Sequence, residues 1–95
     1  MAKQLESLIA KGRRAKRPPE QKEVAFGLAD LSTYEELLER LVNKGGVKTL
    51  LILLTKSTDT DAQRFAALAL ANAASAGKFQ QLFHIIILFV IHFVS

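Results

Sequence analysis

The sequence predicts an all-α protein in which helical units repeat along the chain and pack side by side as a solenoid. Three observations lead to this prediction: a period of forty-two residues, helix start and stop signals that follow the period, and helices whose apolar faces need neighbours for burial. The length of 95 residues allows one small domain or a piece of a larger protein.

The internal repeat appears when residues 21–33, QKEVAFGLADLST, are placed above residues 63–75, QRFAALALANAAS. Four positions are identical: Gln21/Gln63, Ala25/Ala67, Leu28/Leu70 and Ala29/Ala71. The same offset, without a gap, places apolar residues of segment 5–9 opposite those of segment 47–51. Because two separate segments agree at one offset, the pattern favours a true repeat over chance.

Helix signals in the first half of the chain fit this period. Pro18 and Pro19 open a helix, at a position where the missing N–H of proline costs nothing. A short helix, YEELLERLVNK, follows and ends at the Gly45–Gly46 pair. The capping box predicted for the short helix combines Ser32 or Thr33 with Glu35 or Glu36.

The second half predicts two more helices. The segment VKTLLILLTKS is apolar on most sides, which is typical of a buried helix. Thr60 and Gln63 form a potential capping box, so the next helix is predicted to begin near Asp61 and to run to about Ser75. This helix is rich in alanine, which combines high helix propensity with close approach of helix axes.

The net charge of +4 comes from the start of the chain, where residues 1–20 carry six Lys and Arg against Glu6 and Glu20. The densest cluster is KGRRAKRPP, residues 11–19. We interpret it as a solvated loop between helices; an anionic partner and a nuclear-import signal are the functional alternatives. Specific nucleic-acid binding is not expected, because it needs more basic surface and stacking aromatic residues.

No set of residues in the sequence suggests catalysis. There is no nucleotide-binding glycine loop, and the Gly45–Gly46 pair is better explained as a helix stop. His84 and His92 are eight residues apart, so on a helix they point about 80° apart and are not expected to share a metal ion. We therefore expect no enzyme activity, no cofactor and no metal site.

Residues 43–75, NKGGVKTLLILLTKSTDTDAQRFAALALANAAS, resemble an armadillo repeat. They share the Gly-Gly before the second helix, the Leu-Leu run, the polar turn with Asp and a third helix that ends in an Ala-Leu-Ala-Asn motif. The resemblance covers about residues 3–76 and implies a right-handed solenoid fragment of about one and two-thirds repeats. It implies a partial repeat with second and third helices in residues 1–33, a repeat in residues 34–76, and a divergent hydrophobic tail in residues 77–95, expected to be helical.

In armadillo proteins the third helices line a groove that holds an extended peptide or a partner segment. The resemblance places six residues of this chain in that groove: Lys22, Phe26, Asp30, Arg64, Leu68 and Asn72. Asn72 matches the groove asparagine of the family, whose amide both donates to and accepts from a bound backbone. Two alternatives remain open, namely that Asn72 bonds nearby backbone at a helix end, and that Phe26 and Leu68 are packing residues.

The importin-alpha adaptors of this family place a tryptophan four residues before the groove asparagine, and its ring flanks a ligand lysine. The corresponding positions here are Phe26 and Leu68, and the chain contains no Trp. We therefore do not expect this protein to bind nuclear-import signals.

The segment GKFQQLFHIIILFVIHFVS, residues 77–95, breaks the repeat, because Ile87 and Leu88 stand where the period requires two glycines. It has three interpretations. Leu82–Val94 is a membrane anchor, although spanning a bilayer takes about 20 apolar residues. It covers the open end of the solenoid. Or it is translated from an intron, since Ala76–Phe79 can be encoded as GCAGGTAAGTTT, which contains the consensus of a 5′ splice boundary.

These observations predict an armadillo-repeat segment for protein–protein interaction or scaffolding, truncated from a longer repeat protein. The expected partners are a protein or extended peptide in the groove and neighbouring armadillo repeats. The expected location is the cytoplasm or the nucleus. The alternative is a small tail-anchored membrane protein with a helical cytosolic head.

Overall fold

The described chain consists of α-helices, so the all-α prediction is confirmed for it. The computed structural model describes residues 2–75 together with Leu88 and Ile91, and these residues contain no β-strand. The helices are α1 (Ala2–Arg14), α2 (Pro18–Leu31), α3 (Glu35–Asn43), α4 (Gly46–Lys56) and α5 (Thr60–Ser75). The predicted tail, residues 77–95, lies outside the described residues except for Leu88 and Ile91.

Helices α1, α2, α4 and α5 surround one apolar core, to which α3 contributes Leu37 and Leu41. The largest side chains in it are fully buried, among them Leu5, Leu28 and Leu50. The prediction that α4 is buried on most sides is correct, since only Lys48 and Lys56 of this helix are exposed.

The Gly45–Gly46 pair joins α3 to α4, and each position requires glycine for a different reason. Gly45 adopts a φ of 82°, a left-handed conformation that costs other L residues about 1–2 kcal/mol. Gly46 begins α4 against the preceding helix, where an added Cβ would lie 2.6 Å from Leu41 Cγ and 2.7 Å from the Leu41 carbonyl oxygen. The predicted helix stop is therefore correct, and Gly46 is also needed for close packing.

Two predicted capping boxes are wrong, although the helices they mark are present. Helix α5 is capped by Asp59, whose Oδ1 accepts from the Ala62 amide at 2.8 Å, and it begins at Thr60. The Gln63 side chain donates instead to the Ser57 carbonyl at 3.0 Å.

The cap predicted for α3 fails for a similar reason. Ser32 and Thr33 donate to carbonyls at the end of α2, Ser32 to Ala29 at 2.6 Å and Thr33 to Asp30 at 2.7 Å. The residue that precedes α3 is Tyr34, which makes no side-chain cap bond. A short polar side chain between two helices can bond to either, and here both hydroxyls bond to the preceding helix.

Candidate protein-binding surface

Helices α2 and α5 lie side by side and run in the same direction. Three contacts join them in the same order along both helices. Lys22 pairs with Asp61 at 3.2 Å, the ring of Phe26 meets that of Phe65, and Ser32 accepts from Asn72. Since residue numbers rise together on both helices, the packing is parallel, and their N-terminal ends meet at one side of the molecule.

The two helices also begin with the same hydrogen bonds, forty-two residues apart. The Gln21 side chain donates to the Ala15 carbonyl at 3.2 Å, and the Gln63 side chain donates to the Ser57 carbonyl at 3.0 Å. In each case the glutamine binds the loop that precedes its own helix. The identity of Gln21 and Gln63 in the sequence thus corresponds to one repeated hydrogen bond.

The ends of the helices repeat in the same way. Thr33 Oγ1 donates to the Asp30 carbonyl at 2.7 Å, and Ser75 Oγ donates to the Asn72 carbonyl at 3.1 Å. Both pairs are separated by forty-two residues. The period therefore exists in the hydrogen bonding of the described residues as well as in the sequence.

Five of the six predicted groove residues are exposed on these two helices: Lys22, Phe26, Asp30, Arg64 and Leu68. Phe26 is 55% exposed and Leu68 is 50% exposed. The ring of Phe26 packs edge-on against Phe65, with centroids 5.2 Å apart and an angle of 84°. Phe26 thus both packs and presents apolar surface to solvent.

Asn72, the sixth predicted groove residue, is partly buried and links the two helices. Its Nδ2 donates to Ser32 Oγ at 2.9 Å. This partner is a side chain from the turn after α2, and not backbone near Asn72 in its own helix, which was one of the two alternatives for this residue. The amide retains a second N–H and its Oδ1 for another partner.

The contact pairs also contain residues that the sequence reasoning missed. Asp61 and Phe65 of α5, and Ser32 after α2, contact the predicted residues Lys22, Phe26 and Asn72. The first two pairs are separated by 39 positions in sequence, one helical turn less than the repeat. In space, α5 is thus shifted by about one turn relative to the alignment of the repeat. A stripe at i and i+4 from Asp61 contains both Asp61 and Phe65.

An open cleft with a volume of about 510 Å³ lies where α2 and α5 end and α3 begins. Its described lining residues come from the turn after α2, from α3 and from α5: Ser32, Thr33, Glu35, Leu38, Asn72 and Ser75. It continues the exposed surface of α2 and α5 at the C-terminal ends of both helices.

The basic cluster, residues 11–19, spans the end of α1, the linker and the start of α2. Several of its charges bind other parts of the chain. Lys11 pairs with Glu23 at 3.6 Å, and Arg13 donates to Thr49 Oγ1 and to the Gly45 carbonyl, both at 3.4 Å. Part of the cluster therefore joins α1 to α2 and to the start of α4.

The tail and its two histidines fall outside the described residues, apart from Leu88 and Ile91, and so does the membrane segment Leu82–Val94. Within the part of the chain that the structure describes, no helix has the length and apolar character needed to cross a bilayer. The same residues contain no group of three or more His, Cys, Asp or Glu side chains that could hold a metal ion.

Comparison with family models, with curated proteins and with solved structures finds no match to this chain.

Proposed function

We propose that this chain is an armadillo-type segment of a helical-repeat protein, and that it binds an extended segment of a partner protein along α2 and α5. The binding surface consists of Lys22, Phe26, Asp30, Arg64, Leu68 and Asn72. The observation that carries the proposal is the parallel packing of two helices that are equivalent in the repeat. Such a pair places equivalent exposed side chains in one continuous stripe.

The chemistry of the stripe suits an extended peptide. Phe26 and Leu68 are half-exposed apolar side chains on neighbouring helices, and large apolar contacts supply most of the binding energy in protein interfaces. Polar groups flank them, with Lys22 and Arg64 toward the helix starts and Asp30 and Asn72 toward the helix ends. The free N–H and Oδ1 of Asn72 can bond an amide of the ligand backbone independently of its sequence.

A second partner follows from comparing equivalent positions on the two helices. Ala25 and Ala29 of α2 are 0% and 4% exposed, whereas their equivalents on α5, Ala67 and Ala71, are exposed. In an armadillo stack the exposed face of α5 would receive the third helix of the next repeat. This chain would then be one part of a longer scaffold, which agrees with the truncated product predicted from the sequence.

A peptide library tests the groove proposal. A library of random twelve-residue peptides is selected against the immobilised full chain, and the affinity of selected peptides is then measured for Phe26→Ser and Leu68→Ser variants. We expect each variant to lose about tenfold in affinity, equivalent to about 1.4 kcal/mol. Tyr34→Ser is the matched control, because Tyr34 is an aromatic residue that is 51% exposed outside α2 and α5.

Circular dichroism shows whether each variant keeps its helices. The proposal fails if the selected peptides bind the Phe26 and Leu68 variants as tightly as the unchanged chain. It also fails if the Tyr34 substitution weakens binding to the same extent.

A further inference from the structure

The loops that precede α2 and α5 lie together at one end of the molecule. Gln21 joins them, because its Nε2 donates to the Ala15 carbonyl at 3.2 Å and its Oε1 accepts from Ser57 Oγ at 2.7 Å. Ala15 belongs to the loop before α2, and Ser57 belongs to the loop before α5. Since the two helices are parallel, both loops stand at the same end of the stripe of predicted groove residues.

Four exposed cations lie in or beside these loops, and none of them has an ion pair within the described residues. One ends α1, one lies in the loop before α2, one ends α4 and one lies in the second turn of α5: Arg14, Lys16, Lys56 and Arg64. We call these four residues the basic surface. Arg64 also belongs to the stripe, so the basic surface and the stripe are continuous.

The carboxylates at this end of the molecule are bound to other groups. Three of them pair with cations outside the basic surface: Glu20 with Arg17 at 3.9 Å, Glu23 with Lys11 at 3.6 Å and Asp61 with Lys22 at 3.2 Å. Asp59 Oδ1 accepts from the Ala62 amide at 2.8 Å.

The last part of the chain brings no negative side chain to this end. Residues 76–95 contain neither Asp nor Glu, so none of their side chains can neutralise the basic surface. The four unpaired cations therefore produce a positive local field, which attracts an anionic group of a partner.

We propose that the basic surface binds acidic side chains of the partner segment, so that the acidic end of the segment lies at the starts of α2 and α5. The inference rests on the proposed function, because the same segment lies along these two helices. A protein segment fits better than nucleic acid, since loops 15–17 and 57–59 contain no aromatic side chain on which a base could stack. Exposed charges of this kind set the orientation and the rate of binding more than the affinity.

The probe is a pair of capped peptides, Glu-Asp-Glu-Asp-Gly and Gln-Asn-Gln-Asn-Gly. The amide side chains of the second peptide keep the shape of the first and remove its charge. Each peptide is titrated into the 15N-labelled full chain and followed by NMR. We expect the acidic peptide to bind about tenfold more tightly, with shifts at the amides of the four basic-surface residues, and to weaken as salt rises.

Two double variants locate the cations that matter. Arg14→Gln with Lys16→Gln should lower the affinity for the acidic peptide about fivefold and leave the amide peptide unchanged. Lys3→Gln with Arg40→Gln is the matched control, because it removes the same two residue types at exposed positions of α1 and α3 away from both loops. The control should lower the affinity by less than about twofold.

The orientation is tested with a library-selected peptide that is extended by Glu-Glu-Glu at one end or at the other. Only the extension whose glutamates reach the basic surface should raise the affinity, by about fivefold. The Arg14 and Lys16 double variant should abolish this gain. Equal gains from both extensions would show that the segment has no preferred direction and would overturn the inference.

Equal affinities for the acidic and amide peptides also overturn it, as do equal losses in the two double variants. A thymidine oligonucleotide of the same net charge and vesicles that contain phosphatidylserine are the competing anions. If either binds the basic surface more tightly than the acidic peptide at equal charge concentration, a protein segment is the wrong partner.

The unextended library-selected peptides separate failure of this inference from failure of the proposed function. If they bind across Phe26 and Leu68 while the acidic peptide shows no preference, only the assignment of the basic surface is wrong. If they do not bind there, the groove itself is wrong.

Discussion

Helices α2 and α5 occupy equivalent places in the repeat and share a sequence pattern, yet their small residues have different environments. Ala25 and Ala29 are buried beneath a neighbouring helix, whereas Ala67 and Ala71, forty-two residues later, face solvent. The hydrogen bonds at the two helix ends are nevertheless the same. The difference teaches that the repeat determines local structure, while burial depends on which helices pack against each face.

The largest loss of stability is expected when a charged side chain replaces one of the buried alanines of α2. Ala25→Glu buries a carboxylate where the alanine is 0% exposed, and we expect the free energy of unfolding to fall by about 3 kcal/mol or more. Ala67→Glu, at the equivalent exposed position, should change it by less than about 0.5 kcal/mol. Urea unfolding followed by circular dichroism measures both values. Similar losses for the two variants would show that the Ala67 face is covered.

Substitutions of the equivalent glutamines Gln21 and Gln63 should give a smaller difference in unfolding free energy. Gln63→Ala removes one side-chain bond to the loop before α5, at a cost of about 1 kcal/mol. Gln21→Ala removes the equivalent bond and also the acceptor for Ser57 Oγ, which lies 2.7 Å from Gln21 Oε1 in a residue only 4% exposed. We therefore expect Gln21→Ala to cost about 2 kcal/mol. The same urea measurement would refute this reading if Gln63→Ala were the more destabilising change.

Substitutions of the exposed apolar residues Phe26 and Leu68 should change the unfolding free energy by smaller amounts that differ less from each other. Phe26→Ala loses the edge contact with Phe65, so we expect a loss of about 1 kcal/mol in unfolding free energy. Leu68→Ala, at a half-exposed position, should cost about 0.5 kcal/mol. Phe65→Ala combined with Phe26→Ala checks the reason in a double-mutant cycle. A coupling energy near zero would mean that the ring contact does not contribute.

The smallest effect is expected at Gly27, whose repeat equivalent is Ala69. Gly27→Ala gains about 1 kcal/mol of helix propensity. The new Cβ would lie 2.8 Å from Leu8 Cδ1, the end of a flexible side chain, so a shift of Leu8 offsets part of this gain. We expect a net change within about 0.5 kcal/mol of zero. Thermal unfolding would contradict this if the variant lost more than about 1.5 kcal/mol.

The sequence predicted the helices well because their signals are local. Pro18 fixes the start of α2, Gly45 provides the left-handed residue after α3, and apolar periodicity marks α4. The caps were predicted poorly, since Ser32 and Thr33 could bond to the helix on either side and Asp59 competed with Thr60 for the start of α5. Propensity alone does not decide between such neighbours.

The contacts between α2 and α5 could be predicted only in part from the sequence. The repeat located one partner in each contact between α2 and α5, such as Phe26 and Asn72. The other partners, Phe65 and Ser32, depend on the shift of one helix along the other, which follows from three-dimensional packing and leaves no mark in the repeat alignment. The cleft was also missed, because its described lining residues come from the turn after α2, from α3 and from α5, which only the packing of the chain brings together.

The central claim is that α2 and α5 are parallel, equivalent helices that form one surface. The chain has no cysteine, so cysteines introduced at exposed positions can carry nitroxide labels for distance measurement by pulsed electron paramagnetic resonance. Two pairs decide the direction: Asp30→Cys with Ser75→Cys, and Lys22→Cys with Ser75→Cys.

Residues 22 and 30 are eight positions apart, which is about 12 Å along a helix. Parallel packing predicts that the distance from position 75 to position 30 is clearly shorter than the distance from position 75 to position 22. The reverse order would mean that the two helices are antiparallel, and it would contradict both the repeat and the binding surface built on it.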